Sequence, residues 1–126
     1  MRSELLTRGH SLELRWLYEG KRCRLIQFLE GLTERERDEV AAYIEHIAEH
    51  GPSKNIEKYR KLHGVEELWE LKIAKVRIIV FYEEHKTMIL SHGFRKRSGR
   101  TPPKEIARAE RLRDEYLAKR GTDNEH

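Results

Sequence analysis

The alternating segments between Trp69 and Phe94 restrict the possible folds of this chain more than any other feature. In Trp69–Ile73 every second residue is apolar, which is typical of a half-buried strand. Val76–Tyr82 is rich in β-branched and aromatic residues, and Thr87–Phe94 is a third run of this kind. Because short turns join neighbouring antiparallel strands, the sequence predicts an antiparallel meander here.

Two helices are predicted before the meander. Thr33 and Glu36 have the spacing of a capping box, in which each side chain accepts a hydrogen bond from the other residue's backbone N–H. They open a helix over Glu34–His50, and the Gly-Pro pair that follows ends it. A shorter helix is predicted over Cys23–Glu30, where the apolar residues share one face.

A strand precedes these helices, and another helix follows the meander. Leu12–Tyr18 alternates like a half-buried strand, and Thr101 and Pro102 supply an N-cap and a first-turn proline for the last helix. Residues 53–65 read as a polar connector with one helical turn. The predicted order is β-α-α-β-β-β-α, an α+β domain whose antiparallel sheet carries a helical hairpin on one face, with a C-terminal helix.

The length of the chain suits a single domain. Its 126 residues can form one hydrophobic core but not two. We expect a loose N-terminal arm at residues 1–11, one domain at residues 12–120 and a mobile polar tail at residues 121–126.

Hydropathy and cysteine content favour a cytoplasmic protein. The longest unbroken apolar run, Ile78–Tyr82, is far too short to cross a bilayer, and no signal peptide is visible. The single cysteine, Cys23, has no partner for an internal disulfide.

Charge is distributed unevenly along the chain. Residues 92–113 hold eight Lys or Arg and two acids, a local charge of +6, whereas residues 30–50 hold seven acids and two arginines, a local charge of −5. A polarised field of this kind steers polyanions to one end of a protein, although such blocks are also common on solvated surfaces.

One segment formally matches a metal-binding pattern. His46, Glu49 and His50 fit the H-x-x-E-H spacing of some zinc peptidases. The sequence offers no convincing third ligand, so two solvated histidines are the favoured interpretation, and no metal or cofactor is expected.

The basic residues of the meander suggest nucleic-acid chemistry. The sheet brings together two groups that are distant in sequence: Lys72, Lys75 and Arg77, and then His92, Arg95, Lys96 and Arg97. The aromatic residues among them are Phe81, Tyr82 and Phe94, which offer surfaces for stacked bases. Fixed cations beside a proton carrier are what metal-free RNA cleavage requires. Cross-strand ion pairs and a hydrogen-bonded core histidine are an equally open interpretation.

Four blocks of the chain resemble a known family. Leu68–Ile73 and Val76–Tyr82 resemble the "LWELR…YRVFY" pattern of phage-related HigB-like toxins, a branch of the RelE/ParE superfamily. Ile89–Arg97 resembles the "LLHGFxKK" strand, and Thr101–Ala109 resembles the "TPxxEIxxA" helix start. The order and spacing of all four blocks agree with that family.

The resemblance implies a RelE-like fold and the toxin of a type II toxin–antitoxin module. Such a toxin enters the ribosome and cuts messenger RNA by metal-independent attack of the 2′-hydroxyl on the scissile phosphate. It also implies neutralisation by a small antitoxin protein, commonly one with a helix-turn-helix domain.

Site residues carry over from the resemblance by position. The candidates for catalysis are Arg77, which would hold the scissile phosphate, with Lys72, Arg95 and His92. The candidates for binding RNA are Lys75, Lys96, Arg97, Arg100, Phe94 and Tyr82. The histidine is equally compatible with a structural role. The general base stays open, with Tyr116 as a remote candidate.

Two other functions remain open on the sequence. A ParE-like member would act on a protein target such as DNA gyrase and would not need the basic residues around Arg77. A non-catalytic basic module would bind RNA without cutting it, with an affinity that falls steeply with salt.

Overall fold

The computed structural model describes residues 1–62, 64–65, 67–97 and 99–124, with side chains described as far as residue 119. The strands are β1 Arg2–Arg8, β2 Glu13–Tyr18, β3 Tyr59–Lys61, β4 Trp69–Ile73, β5 Val76–Glu84 and β6 Thr87–Arg95. The helices are α1 Arg24–Glu30, α2 Glu34–His50 and α3 Pro103–Asn124. No helix in this part of the chain is long and apolar enough to cross a membrane.

The strands form one six-stranded sheet in the order β1-β2-β6-β5-β4-β3. Strands β4, β5 and β6 are antiparallel neighbours, so the predicted meander and the α+β class are confirmed. The expectation of a wholly antiparallel sheet was wrong in one place, because β2 and β6 pair in parallel. The long connection that parallel neighbours require contains α1, α2 and the strands β3, β4 and β5.

The N-terminal segment is a strand and not the loose arm expected at residues 1–11. β1 pairs with β2 in antiparallel fashion and forms one edge of the sheet. A register shift between Leu5 and Thr7 interrupts the pairing. An extra residue of this kind breaks the period of two, which explains why the sequence showed no strand pattern here.

Two other segments differ from the prediction. Within the expected connector 53–65, Tyr59–Lys61 forms the short edge strand β3, which is too brief to show a periodicity. Helix α3 continues to Asn124, so most of the expected tail at residues 121–126 is helical. Residues 125–126 lie outside the described part of the chain.

The capping box of α2 is confirmed. The Thr33 hydroxyl accepts from the backbone N–H of Glu36 at 3.1 Å, and the Glu36 carboxylate accepts from the Thr33 backbone N–H at 3.0 Å. Helix α2 has the predicted bounds, and Gly51 ends it with φ +81°.

Two hydrophobic clusters lie on opposite faces of the sheet. On one face, Leu25 of α1 and Val40 and Ile44 of α2 pack against β2, β4, β5 and β6. On the other face, Leu112 and Tyr116 of α3 pack against the alternate residues of β5 and β6. The two surfaces are called the hairpin face and the α3 face below. Helix α3 covers only part of its face. The part of the sheet surface that lies past the N-terminal end of α3 is left open.

Candidate anion-binding site

Strand register places three cations together on the α3 face. Lys72 of β4 lies directly opposite Arg77 of β5, and Arg60 of β3 lies directly opposite Glu70 of β4. Residues opposite each other in an antiparallel pair share a face, and residues two apart along a strand do too. Arg60, Lys72 and Arg77 therefore form one group, called the cationic cluster, and Glu70 lies within it.

Arg77 is held rigidly although its charge is nearly buried. The residue is 8% exposed, and its Nη1 donates to the backbone carbonyls of Ala74 at 2.6 Å and Val76 at 3.0 Å. Its Nε is buried and has no hydrogen-bond acceptor among the described residues. The Nε of Arg60 is in the same situation. Buried donors without acceptors are rare in native proteins, so the packing here keeps two guanidinium groups in place without satisfying them fully.

Glu70 is the counter-ion of the cationic cluster. It is 2% exposed, and its Oε2 accepts the Thr101 hydroxyl at 2.5 Å. Its Oε1 lies 3.6 Å from Nε of Arg77 and 3.8 Å from Nη2 of Arg60. Both distances are ion-pair contacts that are too long for hydrogen bonds, so one carboxylate partly neutralises two arginines. With Lys72 included, the group keeps a positive net charge.

Burial is the main cause of the pKa shifts in the cluster. It lowers the pKa of Lys72, and the neighbouring cations Arg60 and Arg77 lower it further, against the opposing effect of Glu57 and Glu70. Burial also lowers the pKa of Arg77, which Glu70 partly offsets. A phosphate group bound beside the cluster would reduce the repulsion between its cations.

A groove gives access to one side of the cluster. It has a volume of about 540 Å³ and is lined by Arg60, Leu62, Arg100, Thr101, Pro103 and Ile106. The groove thus runs between β3 and the start of α3, with Arg100 as a further cation across from Arg60. Of the residues expected to bind RNA, Arg100 is therefore placed beside the cluster.

His92 lies on the α3 face but under α3, where it is 2% exposed. Its Nε2 is 3.2 Å from Oε1 of Glu105, and its Nδ1 is 3.1 Å from the Ser91 hydroxyl. Burial lowers the pKa of His92 to about 4, although Glu105 opposes the shift. A neutral ring with both nitrogens occupied and no solvent access favours the structural interpretation of this residue.

Arg95 lies on the hairpin face, away from Arg77. It is directly opposite Val76, whose side chain belongs to the hairpin-face core. Its guanidinium donates to both Glu36 oxygens, at 2.6 and 2.9 Å, and it lowers the pKa of that carboxyl to about 2. The side chain therefore ties the end of β6 to the start of α2, and the convergence expected from sequence does not include it.

The two aromatic candidates are also separated. Phe94 lies opposite Arg77 on the α3 face, but it is 8% exposed and packed in the core under α3. Tyr82 lies on the hairpin face, where its hydroxyl is 2.9 Å from that of Tyr59 and its ring meets Trp69 edge-on at 5.3 Å. Tyr82 is thus on the opposite face from the cationic cluster, and Phe94 is buried next to Arg77.

The remaining basic candidates lie at the adjoining end of the sheet. Lys75 is exposed in the turn between β4 and β5, and the backbone N–H of Lys96 donates to its carbonyl at 2.8 Å. Arg97 follows and is exposed. Because Arg77 binds the carbonyl of Ala74 in the same turn, these cations extend the positive surface beyond the cluster.

Sequence reasoning missed Arg60, Glu70 and Thr101. An acid at an alternating position of a strand was a usable signal for Glu70, since a buried carboxylate needs cationic or hydroxyl partners. Arg60 could have been found only by recognising β3. The two histidines of the H-x-x-E-H segment lie on α2 with their ring centroids 4.7 Å apart and their planes tilted by 48°, and the described residues hold no group of three or more metal-binding side chains.

Comparisons with known proteins identify the family and the fold of this chain. A family model described as "Phage derived protein Gp49-like (DUF891)" matches residues 27–114, which include the cluster and the groove. A chain of the RelE–RelB complex from Pyrococcus horikoshii OT3 matches with a TM-score of 0.55 at 10% identity, covering 71% of this chain and 99% of that one. A chain of the RelB–RelE antitoxin–toxin complex from Methanococcus jannaschii gives a TM-score of 0.47 at 15% identity, covering 56% and 82%. No curated protein matches. The fold is RelE-like.

Proposed function

This chain belongs to the Gp49-like family of phage-derived proteins and has a RelE-like fold, and we propose that it is the toxin of a type II toxin–antitoxin module. Its activity is the cleavage of messenger RNA on the ribosome without a metal ion. The cationic cluster on the α3 face is the site of that reaction.

One observation carries the proposal. The Nε atoms of Arg60 and Arg77 are buried without acceptors, and both lie near a single carboxylate in a group of net positive charge. The Arg60 side chain is 34% exposed and lines the groove with Arg100, so a phosphodiester there would lie beside these cations and be attracted by the whole cluster. Arginine suits the role because its charge persists after burial and its planar donors match phosphate oxygens.

The reaction assigns a role to each cation. Lys72 adds positive charge beside the scissile phosphate, and the proton of the RNA 2′-hydroxyl passes to solvent as that oxygen attacks phosphorus. Arg60 and Arg77 stabilise the negative charge that builds on the phosphorane. The 5′-oxygen leaves and takes a proton from solvent. The products carry a 2′,3′-cyclic phosphate and a 5′-hydroxyl.

The proposed partner is a small protein antitoxin. The chain of similar fold from Pyrococcus horikoshii OT3 comes from a RelE–RelB complex, and the sequence resemblance implies an antitoxin with a helix-turn-helix domain. A neighbouring reading frame that encodes such a protein would support a toxin of either target class.

The test is to induce the protein in bacteria and map new 5′ ends in cellular transcripts. Wild type is expected to produce cleavage ends within translated messages, and Arg77→Ala is expected to remove them, since a transition-state contact of this kind is worth roughly 100-fold or more in rate. Arg35→Ala is the matched control, because Arg35 is an exposed arginine on α2.

Two results would contradict the proposal. Growth arrest with DNA damage and no new transcript ends would indicate a ParE-like protein target. RNA binding without cleavage products would indicate a non-catalytic basic module.

A further inference from the structure

We propose that Glu70 is a positioning residue: its carboxylate, held by the Thr101 hydroxyl, aligns Arg60 and Arg77 toward a bound RNA phosphate. The inference rests on the proposed function, since the phosphate is that of the RNA. It adds a residue that carries no positive charge and needs no contact with substrate.

The burial of Glu70 requires an explanation. A carboxylate that is 2% exposed costs several kcal/mol unless it is paired and hydrogen-bonded. A hydrophobic residue at this position would pack against the α3 face without that cost. The two oxygens have separate partners, because Oε2 binds the Thr101 hydroxyl and Oε1 faces the two arginines.

The contact distances indicate that Glu70 positions the two arginines and does not form a close ion pair with either of them. Oε1 is nearly equidistant from Arg77 and Arg60, at 3.6 and 3.8 Å, and hydrogen-bonds neither of them. A carboxylate between two guanidinium groups offsets their mutual repulsion, so both can face the same site. The Arg60 side chain is partly exposed and lines the groove, so its guanidinium is within reach of a ligand there.

Thr101 links this carboxylate to the groove. It is 9% exposed, lies two residues before the first residue of α3 and lines the groove with Arg100. Its bond to Glu70 ties the segment before α3 to the floor of the site. This contact adds to the packing of α3 on the sheet and sets the groove wall relative to the cationic cluster.

The experiment compares steady-state cleavage of messenger RNA on programmed ribosomes by wild type, Glu70→Gln, Thr101→Val and Thr101→Ser. Glu70→Gln and Thr101→Val preserve shape and are expected to lower kcat by about 10- to 100-fold, the cost of a small misplacement of catalytic groups. KM is expected to stay within about threefold, because the cations that bind RNA remain. Thr101→Ser restores the hydroxyl and is expected to restore kcat.

A purely structural role predicts another pattern. Loss of folded protein would lower the apparent kcat in proportion to the folded fraction, together with a lower melting temperature. Thr101→Ser would not rescue it selectively. The inference is overturned if Glu70→Gln keeps the wild-type kcat, or if Thr101→Ser and Thr101→Val lose the same activity.

A second readout needs no cleavage. Glu70 raises the pKa of Lys72, so Glu70→Gln is expected to lower the titration midpoint of the Lys72 ammonium, followed by NMR and assigned with Lys72→Arg. If wild type makes no cleavage products, the proposed function fails, while a lowered Lys72 midpoint still supports the placement of Glu70 within the cluster. An unchanged midpoint overturns that placement.

Discussion

Arg77 and His92 are both nearly inaccessible on the α3 face, and their hydrogen bonds distinguish their roles. Arg77 keeps a buried Nε–H without an acceptor, whereas both ring nitrogens of His92 have partners. The ring of His92 has no free nitrogen to offer a substrate, whereas Arg77 belongs to a group of cations that one carboxylate only partly neutralises. We therefore propose phosphate binding for the cluster that contains Arg77, and we assign the docking of α3 to the histidine.

The buried histidine makes stability depend on pH. The pKa of His92 is about 4 in the folded chain against an ordinary value of 6.5. Between these pH values His92 is therefore protonated in the unfolded chain and neutral in the folded chain. The stabilisation is complete above pH 6.5 and is lost as the pH falls toward 4, by roughly 3 kcal/mol in total. Urea unfolding across this range measures the loss.

His92→Gln is the matched variant for this measurement, because glutamine keeps hydrogen bonding and does not titrate. Its free energy of unfolding is expected to vary less with pH in the same interval. Equal pH dependence in the two proteins would show that the acid sensitivity comes from other groups.

Strand β6 has a packing constraint at Gly93. A Cβ atom there would lie 2.5 Å from Cδ2 of Phe28 on α1. Glycine is thus required where the helix crosses the strand. The block that resembles the family's "HGF" pattern holds a buried histidine, this glycine and the buried Phe94. It therefore lets β6 pack against α1 on one face and against α3 on the other.

Gly93→Ala is expected to destabilise the fold by about 1–3 kcal/mol, because the Phe28 ring must move in a packed core. Gly31→Ala is the control, since φ is −84° there and an added Cβ would meet its nearest atom at 3.5 Å. Chemical denaturation measures both. If both variants lose the same stability, close packing against Phe28 does not explain the glycine.

At the scale of the molecule, the sheet separates the basic residues by face. Arg60, Lys72 and Arg77 lie on the α3 face, while Arg95 is paired with Glu36 on the hairpin face. RNA that binds by the proposed route should therefore release counter-ions from the cations of the α3 face only. The salt dependence of binding is a property of that whole surface.

The affinity for a 2′-O-methyl RNA, which lacks the attacking hydroxyl, is expected to fall with rising salt. Arg60→Gln and Lys72→Gln should each reduce the slope of log K against log salt by about 0.7. Arg95→Gln should leave the slope unchanged, because its charge lies on the other face. Fluorescence anisotropy across a salt series gives the slopes. A reduced slope for Arg95→Gln would place RNA on the hairpin face.

The local elements could be predicted from the sequence alone. The capping box at Thr33 and Glu36 and the alternation of Trp69–Ile73 depend on neighbours along the chain, so α2 and the meander were predictable. Lys72 and Arg77 could be paired because a tight turn fixes the register of β4 and β5. Strands β1 and β3 were missed because neither has a readable period along the chain.

Which charges share a site depends on tertiary packing. Arg60 lies ten residues before Glu70 and Thr101 lies 31 residues after it, and their contacts depend on where β3 and the start of α3 dock. Arg95 is next in the chain to Phe94, yet the pleat of β6 sends their side chains to opposite faces. A list of basic residues in the sequence cannot separate one from the other, because accessibility and partners are properties of the packed sheet.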